Sequence, residues 1–147
     1  MTRAMFVTVL GRVAGIDAKD YTKVSFDDVV AGSWYAPYVA WASEEGLVLG
    51  YADNRFGVED QITIEQVVVL LSRYAEYIGI DITTDSVLYG FTDHDMVADW
   101  AFEQLKWATY HGIYTGFDGA LKPQLPAERW MLAEMLLAFD MVYSNKQ

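Results

Sequence analysis

The sequence predicts an all-α, mainly helical fold built from a repeated helix-loop-helix unit of about 65 residues. Three observations carry this expectation. Two long stretches match each other, a second element recurs three times, and the apolar residues of each half follow helical rather than alternating spacing. A chain of 147 residues with 53% hydrophobic content can bury one compact core or one array of repeats, and is too short for two ordinary domains.

The first half of the repeat is read twice. Phe26-Asp27-Asp28-Val29, the run Trp34 to Ala42 and the run Glu45 to Tyr51 match Phe91-Thr92-Asp93, Trp100 to Ala108 and His111 to Phe117. The offset is 65 at the Phe pair and 66 from the Trp pair onward, so one residue is inserted and register is kept. Trp34, Tyr38, Trp41 and Ala42 fall at i, i+4, i+7 and i+8, as do Trp100, Gln104, Trp107 and Ala108, which predicts a Trp-led helix. Ser33 and Asp99 are the expected N-caps, and Gly46 and Gly112 stand where a left-handed residue ends the helix.

The second half is read three times, from Thr2, Thr63 and near Glu128, at offsets of 61 and 65. Thr63 and Gln66 form a T-x-x-Q capping box, and Gly15 and Gly79 are expected stops. Predicted core positions are Phe6, Leu10 and Val13, then Val67, Leu71 and Tyr74, then Leu132, Leu136 and Phe139. Between the halves, Gly50 to Phe56 and Gly116 to Leu121 read as tight turns or short hairpins, with Phe56 and Leu121 folding back as apolar plugs. Segments 17–25 and 81–89 link successive repeats, anchored by Tyr21, Val24, Val87 and Leu88. The chain thus parses as a single repeat domain over 1–147: residues 1–16 close one repeat, 17–80 form a second and 81–147 a third. A start in mid-repeat leads us to expect a fragment of a larger parent.

Composition narrows the function. A net charge of −11 disfavours nucleic acid and anionic membrane surfaces as partners, since both reward clustered Lys and Arg. Cysteine is absent, which removes disulfides, thiolate metal sites and a cysteine nucleophile. The apolar run Phe6 to Leu10 is soon interrupted by Arg12 and is no signal peptide, so an export signal is expected on the parent. No stretch approaches the roughly 18 apolar residues that a membrane span needs, so no membrane insertion is expected.

The order Phe-x-Asp-Val, Trp-led helix, Gly-Leu-Val-x-Gly-Tyr-x-Asp-x-x-Phe, then Ile-Thr-x-Glu-Gln resembles the S-layer homology domain over nearly the whole chain. The resemblance implies three repeats packed as a pseudo-threefold bundle. It further implies grooves between neighbouring repeats that bind secondary cell-wall polymers, typically anionic glycans carrying pyruvate ketals, and so a bacterial cell-surface location. A ketal carboxylate suits the planar, bidentate fork of arginine. In the family that arginine belongs to a Thr-Arg-Ala-Glu motif opening the second helix, where backbone N–H groups and the helix dipole also favour an anion. Carried onto this sequence, Thr2-Arg3-Ala4 matches with Met5 in place of the acid; Thr63 is followed by Ile64 rather than Arg; and Arg129 is in register between Glu128 and Trp130. Further candidate ligand contacts are Asp28 and Trp34, Asp93 and Trp100, and the Gly50 and Gly116 turns.

Each candidate has a plainer reading. The four Trp on helical spacing read as core before they read as sugar platforms, Asp28 and Asp93 as turn residues, and Arg3 as a solvated first-turn residue. Asp93-His94-Asp95 lacks the ligand series of a metal loop, and no nucleophile elbow, phosphate loop or dinucleotide fingerprint occurs, so neither metal, cofactor nor catalytic residue is expected. The expectation is a non-catalytic cell-wall anchoring module attached to the rest of a surface protein. The alternative is a protein-interaction or assembly module whose glycan sites have decayed.

Overall fold

The computed structural model describes residues 1–144, so the last three positions of the third repeat lie outside the described residues. Five α-helices account for the regular structure: α1 (Arg3–Val13), α2 (Ala36–Glu44), α3 (Ile64–Tyr77), α4 (Phe102–Tyr110) and α5 (Arg129–Tyr143). Among the described residues there are isolated bridges and no strands, which bears out the all-α expectation. No helix is long and apolar enough to cross a membrane.

The chain divides into two compact units, Met1–Ile62 and a second from Thr63 onward. Each unit begins with a second-half helix and continues into the first half of the following repeat, so the compact units and the sequence repeats divide the chain at different points.

In unit 1, α1 packs on α2. Phe6, Val7 and Leu10 of α1 and Val39, Trp41 and Ala42 of α2 are buried; complete burial of such a side chain contributes about 1.5–3 kcal/mol. The two helices come close at Gly11, where an added Cβ would lie 2.5 Å from the Tyr38 ring and 3.4 Å from that of Trp41. Val13 was expected in this core but is 57% exposed, as the last residue of α1. In unit 2, α3 packs on α4, and Trp107, Phe139 and Tyr143 gather α4 and α5 into an aromatic core. Trp107 Nε1 donates to the Tyr143 hydroxyl at 3.0 Å, and Tyr74 of α3 meets Phe139 with centroids 5.9 Å apart. Leu136, also expected in the core, is half-buried.

Helix ends follow the glycines. After α2 the Gly46 N–H donates to Ser43 O and the Leu47 N–H to Ala42 O, and the same pair of bonds recurs at Gly15, Gly79 and Gly112. This double closure needs a left-handed residue, and the four glycines have φ between 68° and 85°. Helix starts are less regular. The second-half helices start at Thr2 and Thr63 as expected, and the Thr63–Gln66 capping box is complete. The first-half helices begin later than expected. The Ser33 hydroxyl donates back to Val30 O instead of capping, and α2 starts at Ala36 behind Tyr35; Asp99 opens a 3-10 turn, and α4 starts at Phe102. Trp34 and Trp100 therefore precede their helices and are 55% and 54% exposed, whereas Trp41 and Trp107 are fully buried. Half of the tryptophan core reading is thereby corrected.

The connection 50–56 is a tight turn closed by Tyr51 N–H to Arg55 O at 2.7 Å, and 116–121 closes with reciprocal bonds between Phe117 and Ala120. Phe56 and Leu121 are fully buried, as plugs should be. Of the linker anchors, Leu88 is buried but Val87 is 62% exposed, since adjacent residues of an extended segment point to opposite sides.

Candidate anion site of the first unit

The site is built where the start of α1 meets the segment that follows the 50–56 turn. Thr2 caps α1, its Oγ1 accepting the Met5 N–H at 3.3 Å, and Thr2 bridges to Gln61. The Arg3 N–H donates to Asp60 O at 2.9 Å and the Ala4 N–H to Val58 O at 3.4 Å. The first-turn donors of α1 are thus spent within the protein. The expectation that backbone N–H groups at this helix end would serve an anion is corrected, because the 58–60 segment takes them.

What the site offers instead is the Arg3 guanidinium. Arg3 is only 8% exposed, an unusual depth for a residue that almost never buries without a partner. Its Nε donates to Phe56 O at 2.9 Å, and its guanidinium carbon sits 5.0 Å from the ring centres of both Tyr51 and Phe56. Among the described residues no hydrogen bond or ion pair reaches its two terminal nitrogens, and neither is sealed from solvent. Burial pushes the guanidinium below its ordinary pKa, against the opposing pull of Tyr51, Asp60 and Asp28. Tyr51 and the Asp60 carboxylate close over Gly57, where an added Cβ would lie 2.6 Å from the ring and 2.7 Å from the carboxylate oxygen.

Asp28 holds the loop that carries Phe56. Its carboxylate accepts the N–H groups of Phe56, Gly57 and Val58 at 2.7, 2.8 and 3.1 Å. Burial works to raise its pKa, but these bonds outweigh it and the group lies below the usual carboxylate range. In unit 2 the Asp93 carboxylate accepts the N–H groups of Leu121 and Lys122 at 2.6 and 2.8 Å. Both aspartates hold the loop that follows the turn. Gly50 and Gly116 are likewise required by their turns: φ is 69° and 72°, and a Cβ would collide with the Phe26 ring or Ala120 O.

Of the other sequence candidates, Thr63 spends its acceptor on the capping box and Ile64 is fully buried. Beside it, buried Glu65 stands where unit 1 has Ala4; it accepts the Ala98 N–H at 3.2 Å and meets Gln124 Nε2 at 3.4 Å. Arg129 opens α5 and is exposed, next to Trp130, whose Nε1 donates to Glu128 at 3.0 Å. Within unit 1 the structure thus brings Arg3, Asp28, Tyr51, Phe56 and Asp60 together. Tyr51, Phe56 and Asp60 were not candidates on sequence. The only signal was their place in or beside a turn that recurs in the repeat.

The S-layer homology domain family matches residues 25–67 and 90–129, more than half of the chain. The chain belongs to the S-layer homology domain family. Similar proteins include an endoglucanase of Bacillus sp. (strain KSM-635), 30% identical over 111 residues, covering 75% of this chain and 11% of the relative. A surface layer protein of Brevibacillus choshinensis is 32% identical over 80 residues, 52% of this chain and 7% of the relative. Cell surface glycoprotein 1 of Acetivibrio thermocellus is 28% identical over 132 residues, 84% of this chain and 6% of the relative. This S-layer homology chain spans about a tenth or less of the length of these relatives. Family and relatives together support a cell-wall anchoring role at a bacterial cell surface.

Proposed function

We propose that this S-layer homology chain anchors a larger surface protein by binding an anionic secondary cell-wall polymer, and that a pyruvate ketal carboxylate docks on Arg3. The observation that carries this reading is the Arg3 guanidinium, held by Phe56 O and two rings, with no hydrogen bond at its terminal nitrogens among the described residues. A fork fixed in this way has lost its rotamer entropy before the ligand arrives, so less is lost on binding, and it can pair a carboxylate bidentately. The enzymatic relative matches over only 11% of its length, so the likeness extends no catalytic role to this chain.

Arg3→Ala should lower pelleting with purified wall sacculi by at least about tenfold, as expected for loss of a charge-assisted pair. Ile64→Ala should disturb packing in unit 2 and leave that binding intact. Pelleting that survives removal of the secondary polymer from the sacculi would sink the glycan reading. It would favour the second one, a protein-interaction module, for which Ile64 filling the arginine position of unit 2 is the supporting observation.

A further inference from the structure

Helix α5 is apolar on more than one side. Met131, Leu132, Met135, Phe139 and Tyr143 are buried in unit 2, yet Trp130, Leu137 and Met141 are 46%, 62% and 70% exposed, with exposed Ala133 between them. At i, i+3, i+7 and i+11 these four form one outward stripe. Only Arg129, Glu134 and Asp140 among the fifteen residues of α5 carry charge. A helix apolar all round is one whose every face is covered.

The other two second-half helices bury the same face. Counted from the caps Thr2, Thr63 and Glu128, Trp130 matches Ala4 and Glu65, Ala133 matches Val7 and Val68, and Leu137 matches Gly11 and Ser72. All six matching residues are buried. On α1 the third position is kept small because the Tyr38 ring of α2 rests on it, and even a Cβ at Gly11 would come within 2.5 Å of that ring. Leu137 closes this approach, so no helix can seat on α5 as α2 seats on α1. The stripe fits a partner of another shape.

That shape is its own. Laid antiparallel against a second α5 in one register, large Leu137 meets small Ala133, Trp130 meets flexible Met141, and Arg129 meets Asp140, each pair occurring twice about the two-fold axis. Arg129 and Asp140 stand on the same edge of the stripe, so the opposite charges fall beside each other across the pair. A parallel arrangement would set each charge against itself. We infer that α5 is a self-association surface, on which a second copy of this chain docks antiparallel through Trp130, Ala133, Leu137 and Met141, with Arg129 facing the partner's Asp140. The pair is weak for two reasons. A single helix face is smaller than the roughly 800 Å² per partner of a standard interface. The two Glu134 carboxylates also approach each other on the opposite edge, near the axis. Where copies are crowded in one plane, a weak contact is enough to order neighbours.

Sedimentation equilibrium of the intact chain tests this, at about 150 mM salt, where a Debye length of roughly 8 Å screens the net charge of −11. Dimers should form between about 10 μM and about 1 mM. Leu137→Ser should weaken the dimer by at least about tenfold, and it should melt at the wild-type temperature in dilute solution because Leu137 is exposed there. Glu134→Gln should tighten the dimer. Arg129→Asp and Asp140→Arg should each weaken it by about fivefold, and the double swap should restore it. The two positions lie about 16 Å apart along one helix, so this rescue can only come across the pair. A chain that stays monomeric to about 1 mM overturns the proposal and leaves the stripe to another segment or another protein. A dimer indifferent to Leu137→Ser, or a double swap that fails to rescue, overturns it as well.

Discussion

Asp28 spends its carboxylate on three consecutive backbone N–H groups, and this has a signature in pH. A carboxyl whose pKa is depressed by folding contributes stability that is fully present above its unfolded value of about 3.9 and is lost as pH falls through the lower folded value. Asp28→Asn should cost about 2 kcal/mol near neutrality, the scale of bonds to a charged acceptor. Between about pH 6 and about pH 2.5 the variant should lose less stability than the wild type, as thermal unfolding at the two pH values would record. At this scale the sequence pointed to Arg3 through its motif and to Asp28 through its repetition. It could not reveal that Tyr51 and Phe56 both lie against the guanidinium, because those residues arrive from a turn some fifty positions away and no local pattern marks the contact. Trp34 and Trp100 were misread for a related reason: periodicity assigns a face only to residues that lie inside the helix, and both stand just before it.

Helix ends were legible and helix starts only partly so. A left-handed C′ residue has a single common solution, glycine, so Gly15, Gly46, Gly79 and Gly112 announce their role. Starts have several solutions, and Ser33 is diverted to its own preceding turn. Gly112 allows a clean measurement, since a Cβ there would meet no atom within 4 Å and only the backbone would object. Gly112→Ala should therefore destabilise by about 1 kcal/mol. Chemical denaturation would record this as a shifted midpoint with unchanged slope.

Charge acts on the whole molecule. With a net charge of −11 the protein repels an anionic polymer at a distance, while on the proposed reading Arg3 would attract it at contact from a position that salt screens poorly. Raising salt should therefore strengthen binding or leave it level between about 10 and 150 mM, where the Debye length shrinks from roughly 30 to 8 Å. Affinity measured across that range would show the slope, and a steep fall with salt would contradict a buried contact. The repeat arithmetic anticipated the helices of both units. It did not anticipate where the compact units divide, because self-similarity fixes a period and leaves its phase open.

That phase bears on how the protein can change. Arg3 belongs to the tail of one repeat, whereas Asp28, Tyr51 and Phe56 belong to the head of the next. On the proposed reading, a gene segment exchanged at the repeat boundary would part Arg3 from the turn that holds it. Recognition would then be inherited at the seam between repeats, and a recombined array would keep its helices and lose its ligand unless tail and head travelled together.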